Sequence, residues 1–309
     1  MKTSTSICIL AGLGLAFTPV LAQTPPQTLT VEVLDQRVLP QSEVDGLKFS
    51  ELSALAHDPR GGVLYGVSDK STLFRIGFAH DGDEITELVP LDGWRLEDET
   101  GVDMKSKQFN PEGAHLREDG SGLLIVSENG PRAALFDMEG RWQSAIDLPV
   151  VLRDASRQRS AKDGLEALAE HPEHGLISAT EEPQAGIERT HHTIHAADGR
   201  HFSYDTGDIG KTNIKSIGLD EHGRLLILER HRVEGTDELK PYLRLIDPAA
   251  CREGADCPTV RAGFTIPGLE DADFEGMTGL GDDLYLLVSD DKVDGAQRSV
   301  FALLRVTAE

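Results

Sequence analysis

From about residue 28 onward, apolar residues come in short runs, many of them alternating with polar ones. Nearly every run ends in a cluster of Gly, Asp, Asn or Pro. No helix-length amphipathic stretch stands out. This pattern predicts strands joined by tight turns, as in sandwiches, barrels and propellers. One unit recurs: a strand of small and apolar residues, a polar Gly turn, a strongly apolar strand, then an acid. Its copies begin at Ser53 (SALAHDPRGGVLYGVSD), Glu112 (EGAHLREDGSGLLIVSE), Glu166 (EALAEHPEHGLISATE), Ser216 (SIGLDEHGRLLILE) and Glu275 (EGMTGLGDDLYLLVSD). The starts are 59, 54, 50 and 59 residues apart. The 34 residues after Glu275 and the 30 between positions 23 and 52 together make one more period. That points to a closed ring in which TLTVEVLDQRVLP (28–40) adds the outer strand of the last unit. The expected fold is an all-β propeller of five four-stranded blades. The first blade would be SALAH, VLYGVS, TLFRIGF and ITELVPL. A β-sandwich, or a sixth blade hidden in the loose stretches 79–111 and 183–214, is the alternative. The kelch signature is not visible.

The N-terminus changes the compartment. Lys2, the apolar stretch Ile7–Phe17 and the small-residue junction Val20-Leu21-Ala22 read as a secretory signal peptide cleaved after Ala22. The run is too short for a membrane anchor. That leaves one domain, 23–309, secreted or periplasmic, with no membrane insertion after cleavage and a monomer favoured. In an oxidising compartment Cys251 and Cys257 pair most simply as a disulfide on a hairpin tip.

Charge then narrows the partners. The whole chain carries a formal −23, and loss of residues 1–22 removes one lysine and no acid. Nucleic acid is excluded as a partner, because it needs clustered Lys and Arg. An anionic membrane surface is excluded on the same ground.

Part of the acid excess falls at fixed repeat positions. Innermost strands of a propeller line its axis, so Ser53, Glu112, Glu166, Ser216 and Glu275 are expected to converge there. Three buried carboxylates would repel one another and need protons or a cation. Oxygen-only ligands outside the cytosol favour Ca²⁺. The second strands end beside these positions, which places Asp69, Lys70, Glu128, Glu181, Glu182, Glu229, Arg230, His231 and Asp290 on the same rim. Arg132 and Lys292 lie close by in sequence.

These motifs resemble the phytase-like family (esterase-like activity of phytase). They are NPEGAHLREDGSGLLIVSENG (110–130), KDGLEALAEHPEHGLISATEEP (162–183), SIGLDEHGRLLILER (216–230) and DFEGMTGLGDDLYLLVSDD (273–291). More distantly, the order Ser53, Glu112, Glu166, Ser216, Glu275 is similar to the axial calcium ligands of calcium-activated nucleotidases (apyrases), which are five-bladed propellers. The first resemblance implies phosphoester or ester hydrolysis; the second implies the calcium role alone.

No G-x-S-x-G elbow, H-E-x-x-H motif or P-loop is present. Asp119-Gly120-Ser121-Gly122 reads as a hairpin turn. In a strand, His191 and His195 share a face from which His192 points away, so these three make a poor metal site. A hydrolase of this kind is therefore expected to be metal-assisted, with Glu128 or Glu182 orienting water and Arg132 and Arg230 clamping an anionic substrate. The competing class is a non-catalytic propeller that binds a ligand or a protein around a structural calcium.

Overall fold

The second strand of each repeat is apolar on both faces because it is buried between two neighbours. A computed structural model describes residues 28–160, 162–236, 238–290 and 298–309 of the protein. Residues 1–22, read above as a signal peptide, and Lys292 lie outside the described residues. In chain order, β1 (Leu29–Pro40) precedes a small hairpin, β2 (Ser42–Val44) and β3 (Leu47–Phe49). Blade one is β4 (Leu52–Asp58), β5 (Val63–Ser68), β6 (Thr72–His80) and β7 (Ile85–Arg95). Blade two is β8 (Pro111–Leu116), β9 (Leu123–Ser127), β10 (Arg132–Phe136) and β11 (Trp142–Ile146). A short helix, α1 (Val150–Arg153), lies in the crossing to blade three: β12 (Leu165–His171), β13 (Gly175–Thr180), β14 (His191–Ala196) and β15 (His201–Asp205). Blade four is β16 (Asn213–Leu219), β17 (Leu225–Arg232), β18 (Leu239–Ile246) and β19 (Thr259–Gly263). Blade five is β20 (Asp273–Gly281), β21 (Leu284–Asp290) and β22 (Arg298–Ala308), completed by β1. All pairings are antiparallel, and β1 runs along the whole of β22, from Leu29 opposite Ala308 to Pro40 opposite Arg298.

The expected five blades and the closing strand are thus present. The stretches that could have hidden a sixth do not. Residues 183–214 supply β14 and β15, and residues 96–110 form a loop with one isolated bridge, Glu97 to Asp103. The hairpin β2–β3 was not legible as an element. It turns on Asp45 and Gly46, both with positive φ (52° and 75°), and Asp45 Oδ2 accepts from Gly93 N–H at 3.0 Å.

The core lies between blades. Leu64 of β5 joins Phe74, Ile76, Leu286, Val288 and Phe301 in the wedge between blades one and five. Its neighbours Tyr65 and Val67 face the other way, into the wedge shared with Leu123, Ile125 and Phe136 of blade two. Strand alternation therefore serves two cores at once, which erases the polar half of the pattern. Burial of a Leu, Ile or Phe side chain contributes about 1.5–3 kcal/mol, so the wedges are the main adhesive between blades.

The first strands β4, β8, β12, β16 and β20 contact one another in turn around the axis. Small residues permit that approach. A Cβ on Gly113 would lie 2.6 Å from the Glu166 carbonyl oxygen, and one on Gly276 would lie 3.0 Å from the backbone of Ala54. The Arg117–Gly122 stretch lies between β8 and β9 and contains the turn read from Asp119-Gly120-Ser121-Gly122. Cys251 and Cys257 form the expected disulfide in the loop between β18 and β19. Cys257 N–H also donates to Ser203 O of blade three at 2.7 Å.

Candidate functional site

Every innermost strand carries a bulge at the same place, and in blades two to five the bulged side chains meet one another. The register skips Ser53 between Leu52 and Ala54, and Glu112 between Pro111 and Gly113. It skips Glu166 between Leu165 and Ala167, and Glu275 between Phe274 and Gly276. In blade four the skipped residue is Lys215, between Ile214 and Ser216. A bulge leaves one residue outside the ladder and re-aims its side chain. The axial set is therefore Ser53, Glu112, Glu166, Lys215 and Glu275. Ser216 pairs with Leu228, at the small-residue position held elsewhere by Ala54, Gly113, Ala167 and Gly276.

The same one-residue offset runs through the second ring. Ser68, Ser127, Thr180 and Ser289 sit opposite the residue before the bulge, followed by Asp69, Glu128, Glu181 and Asp290. In blade four Glu229 takes the hydroxyl position and Arg230 takes the acid's place. Glu229 is accordingly no rim residue. It is fully buried, accepts from Tyr204 Oη and Thr212 Oγ1 at 3.0 Å each, and pairs with buried Arg244 at 2.9 Å.

Blade four thus supplies two cations to a ring of acids. Lys215 Nζ donates to Glu166 Oε1 and lies 3.0 Å from both Glu181 Oε1 and Glu275 Oε1. Burial opposes its charge, but Glu166, Glu275 and Glu181 together outweigh burial and hold the ammonium well above the usual lysine range. Arg230 reaches Glu181 Oε1 at 2.7 Å, Asp273 Oδ2 at 2.5 Å and Glu275 Oε1 at 3.3 Å, tying blades three and five together.

Six carboxyl groups, Glu112, Glu128, Glu166, Glu181, Asp273 and Glu275, converge on these two fixed charges. Glu112 and Glu128 touch neither cation. They share Asn110, whose Nδ2 donates to Glu112 Oε1 at 2.5 Å and to Glu128 Oε2 at 3.1 Å. Burial, then Glu166 and Glu275, push the Glu112 carboxyl well above its ordinary value. Burial raises Glu128 as well. The donor chemistry fits a hard cation. Oxygens of Glu112, Glu166 and Glu275 lie within 4.8 Å of one another, as do those of Glu128, Glu166 and Glu181. That spacing is about twice a calcium–oxygen bond of roughly 2.4 Å. Neither group contains a His or Cys, the ligands that would favour zinc or copper.

The remaining rim residues have partners of their own. Glu182 is held by Arg189 and by Arg159 at 3.4 Å, and Arg159 also donates to the carbonyls of Pro183, Gln184 and Ile187. Glu182 therefore latches the 181–190 loop and does not face the axis chemistry. Arg132 donates to Gln108 O at 2.5 Å and lies over the Phe109 ring at 5.1 Å. Lys70 pairs with Asp69 at 2.9 Å and Glu51 at 3.1 Å, and half-buried His231 meets Lys211 O at 3.0 Å. Asp290 pairs in register with Asp273. His192 points into the core as expected, 3.2 Å from Thr212 Oγ1 and stacked on Tyr204. Burial lowers its pKa to about 3.

Sequence comparison decides the family. The phytase-like model, described as esterase-like activity of phytase, matches residues 47–293. The chain belongs to the phytase-like family. Nothing matches this phytase-like chain among curated proteins. Solved structures with a similar course include the PQQ-bound aldose sugar dehydrogenase of Streptomyces coelicolor. It is 15% identical, at TM-score 0.46, over 92% of this chain and 100% of that one. A Dyadobacter fermentans protein of unknown function is 11% identical, at TM-score 0.45, over 90% and 99%. The Cps50 (Swd1) β-propeller domain of Myceliophthora thermophila is 11% identical, at TM-score 0.41, over 81% and 82%.

Proposed function

We propose that this phytase-like propeller is an exported hydrolase of ester or phosphoester substrates, working at the axial mouth with a divalent cation, calcium by preference. The observation that carries the reading is the excess of buried carboxyl groups over the two fixed cations, centred on Glu112 and Glu128. Glu112, Glu166 and Glu275 would hold the cation, which when bound supplies charge to polarise a substrate oxygen. Glu128 is the general base: its raised pKa brings it nearer neutrality, where an ionised carboxylate takes a proton from water most effectively. The hydroxide so formed adds to the substrate's acyl or phosphoryl centre. The bond to the leaving oxygen breaks, and that oxygen takes up the proton from Glu128. Lys215 and Arg230 keep the carboxylates of blades three and five in place and touch no substrate. The disulfide supports folding in an oxidising compartment.

The test joins two measurements on one sample. Thermal melts with calcium and with chelator should separate, and turnover should appear on nitrophenyl esters or nitrophenyl phosphates. Coincident melts would remove the cation. No turnover on either panel, with calcium present, would sink the enzyme and leave a ligand-binding propeller.

A further inference from the structure

The axis already holds a cation of its own. Lys215 stands at the bulge of β16, where the neighbouring blades three and five place Glu166 and Glu275. The other four bulges carry Ser53, Glu112, Glu166 and Glu275, none of them cationic. Lys215 is the one buried lysine among the described residues. Its Nζ donates to Glu166 Oε1 and lies 3.0 Å from Glu275 Oε1. These two carboxylates, with Glu112, are the cation ligands named above, and oxygens of the three lie within 4.8 Å of one another. Lysine and a metal ion therefore draw on the same two carboxylates.

The two positive charges oppose each other there. An ion bonded at roughly 2.4 Å through the oxygen that faces Lys215 would stand within about 5 Å of Nζ. Charges of +2 and +1 at that separation repel strongly where water is largely excluded. Leaving Glu166 and Glu275 costs the ammonium two charge-assisted hydrogen bonds, but it does not leave every partner. Glu181 Oε1 is also 3.0 Å from Nζ and is not among the three ligands. Beyond it stands Glu128, which touches neither fixed cation, with an oxygen within 4.8 Å of one of Glu181.

We propose that Lys215 is a built-in competitor for the axial cation, so that the ammonium or the divalent ion occupies the space between Glu166 and Glu275, one at a time. On the cation reading above, on which this rests, the ion displaces Lys215 toward Glu181. That displacement weakens binding toward the submillimolar-to-millimolar range of extracellular calcium modules. The protein loads where calcium is abundant and relies on its own lysine where calcium is scarce.

The experiment measures calcium affinity directly, by isothermal titration calorimetry at neutral pH, for the wild type and Lys215→Met. Lys215→Met should bind calcium about a hundredfold more tightly or better, the order expected when two charge-assisted hydrogen bonds need no longer be broken. Binding by Lys215→Met alone is the same result carried further. A second measurement needs no variant. In the wild type labelled with 15N-lysine, the buried and hydrogen-bonded Lys215 ammonium should give a slowly exchanging 15N–1H signal, and saturating calcium should abolish it. A signal unmoved by saturating calcium, or an equal or weaker affinity in Lys215→Met, overturns the inference and leaves the cation in place. No calcium binding by either protein removes the cation reading, and this inference falls with it.

Discussion

Lys215→Met isolates the electrostatics of the axis. The wild-type ammonium is 4% exposed and touches three carboxylates, two of them at 3.0 Å. Methionine keeps most of the volume and removes the charge. Taking away one partner of a buried ion pair costs about 3–5 kcal/mol, because the partner left behind is buried and unpaired. Part of that loss is recoverable if the stranded carboxyls take up protons. Each proton bound in the folded but not the unfolded state costs about 1.4 kcal/mol per pH unit. The sign is definite. A carboxyl whose folded pKa is raised is tolerated below its unfolded value near 4.3 and penalised increasingly as pH rises through the folded one. The destabilisation of Lys215→Met should therefore be small near pH 5 and grow toward pH 8. Urea unfolding followed by the fluorescence of Trp94 and Trp142 reads this directly. Glu166→Gln added to Lys215→Met should return part of the stability, since it removes one stranded charge. A variant that unfolds like the wild type at pH 8, or one equally destabilised at both pH values, would refute the reasoning.

Three more outcomes follow from neighbouring groups. Glu112→Gln should raise the melting point at pH 8 by removing a buried carboxylate without a cationic partner, and should abolish any difference between melts with calcium and with chelator. Glu229→Gln should lower stability by about 3–5 kcal/mol with KM for any substrate unchanged, because the carboxylate serves Arg244, Tyr204 and Thr212 inside the blade; equilibrium unfolding beside steady-state kinetics separates the two. The paired change Cys251→Ser, Cys257→Ser should cost about 2 kcal/mol, the chain-entropy value for so short a loop, and leave turnover intact in the same assays.

The blades were legible because their signal is chemical and repeated: apolar second strands, Gly turns, and an acid after a small hydroxyl residue. The axis was legible in four blades of five for the same reason. Blade four was read one residue late because Ser216 resembles Ser53, whereas the equivalent of Ser53 is Lys215. The bulge that decides the matter is a backbone event and leaves no mark of its own. A signal did exist. The small residue after the bulge is present in all five units, and aligning on Ala54, Gly113, Ala167, Ser216 and Gly276 would have placed lysine among the glutamates. Glu229 and Arg230 then follow without further assumption. The engagement of Arg132, Arg159 and Glu182 could not be read, because their partners come from loops whose paths depend on tertiary contacts.

The ring also says where the polypeptide could be cut. Thr28 and Glu309 exchange backbone hydrogen bonds at 3.0 and 3.2 Å, so the two chain positions already touch. A few residues of linker would join them, and a new break could be opened in the exposed turn at Asp81–Glu84 between β6 and β7. Such a circular permutant keeps every blade, every wedge and the whole axial set, and moves the seam from blade five to blade one. Its stability relative to the parent would then measure what β1 contributes by its pairing, apart from what it contributes by being first.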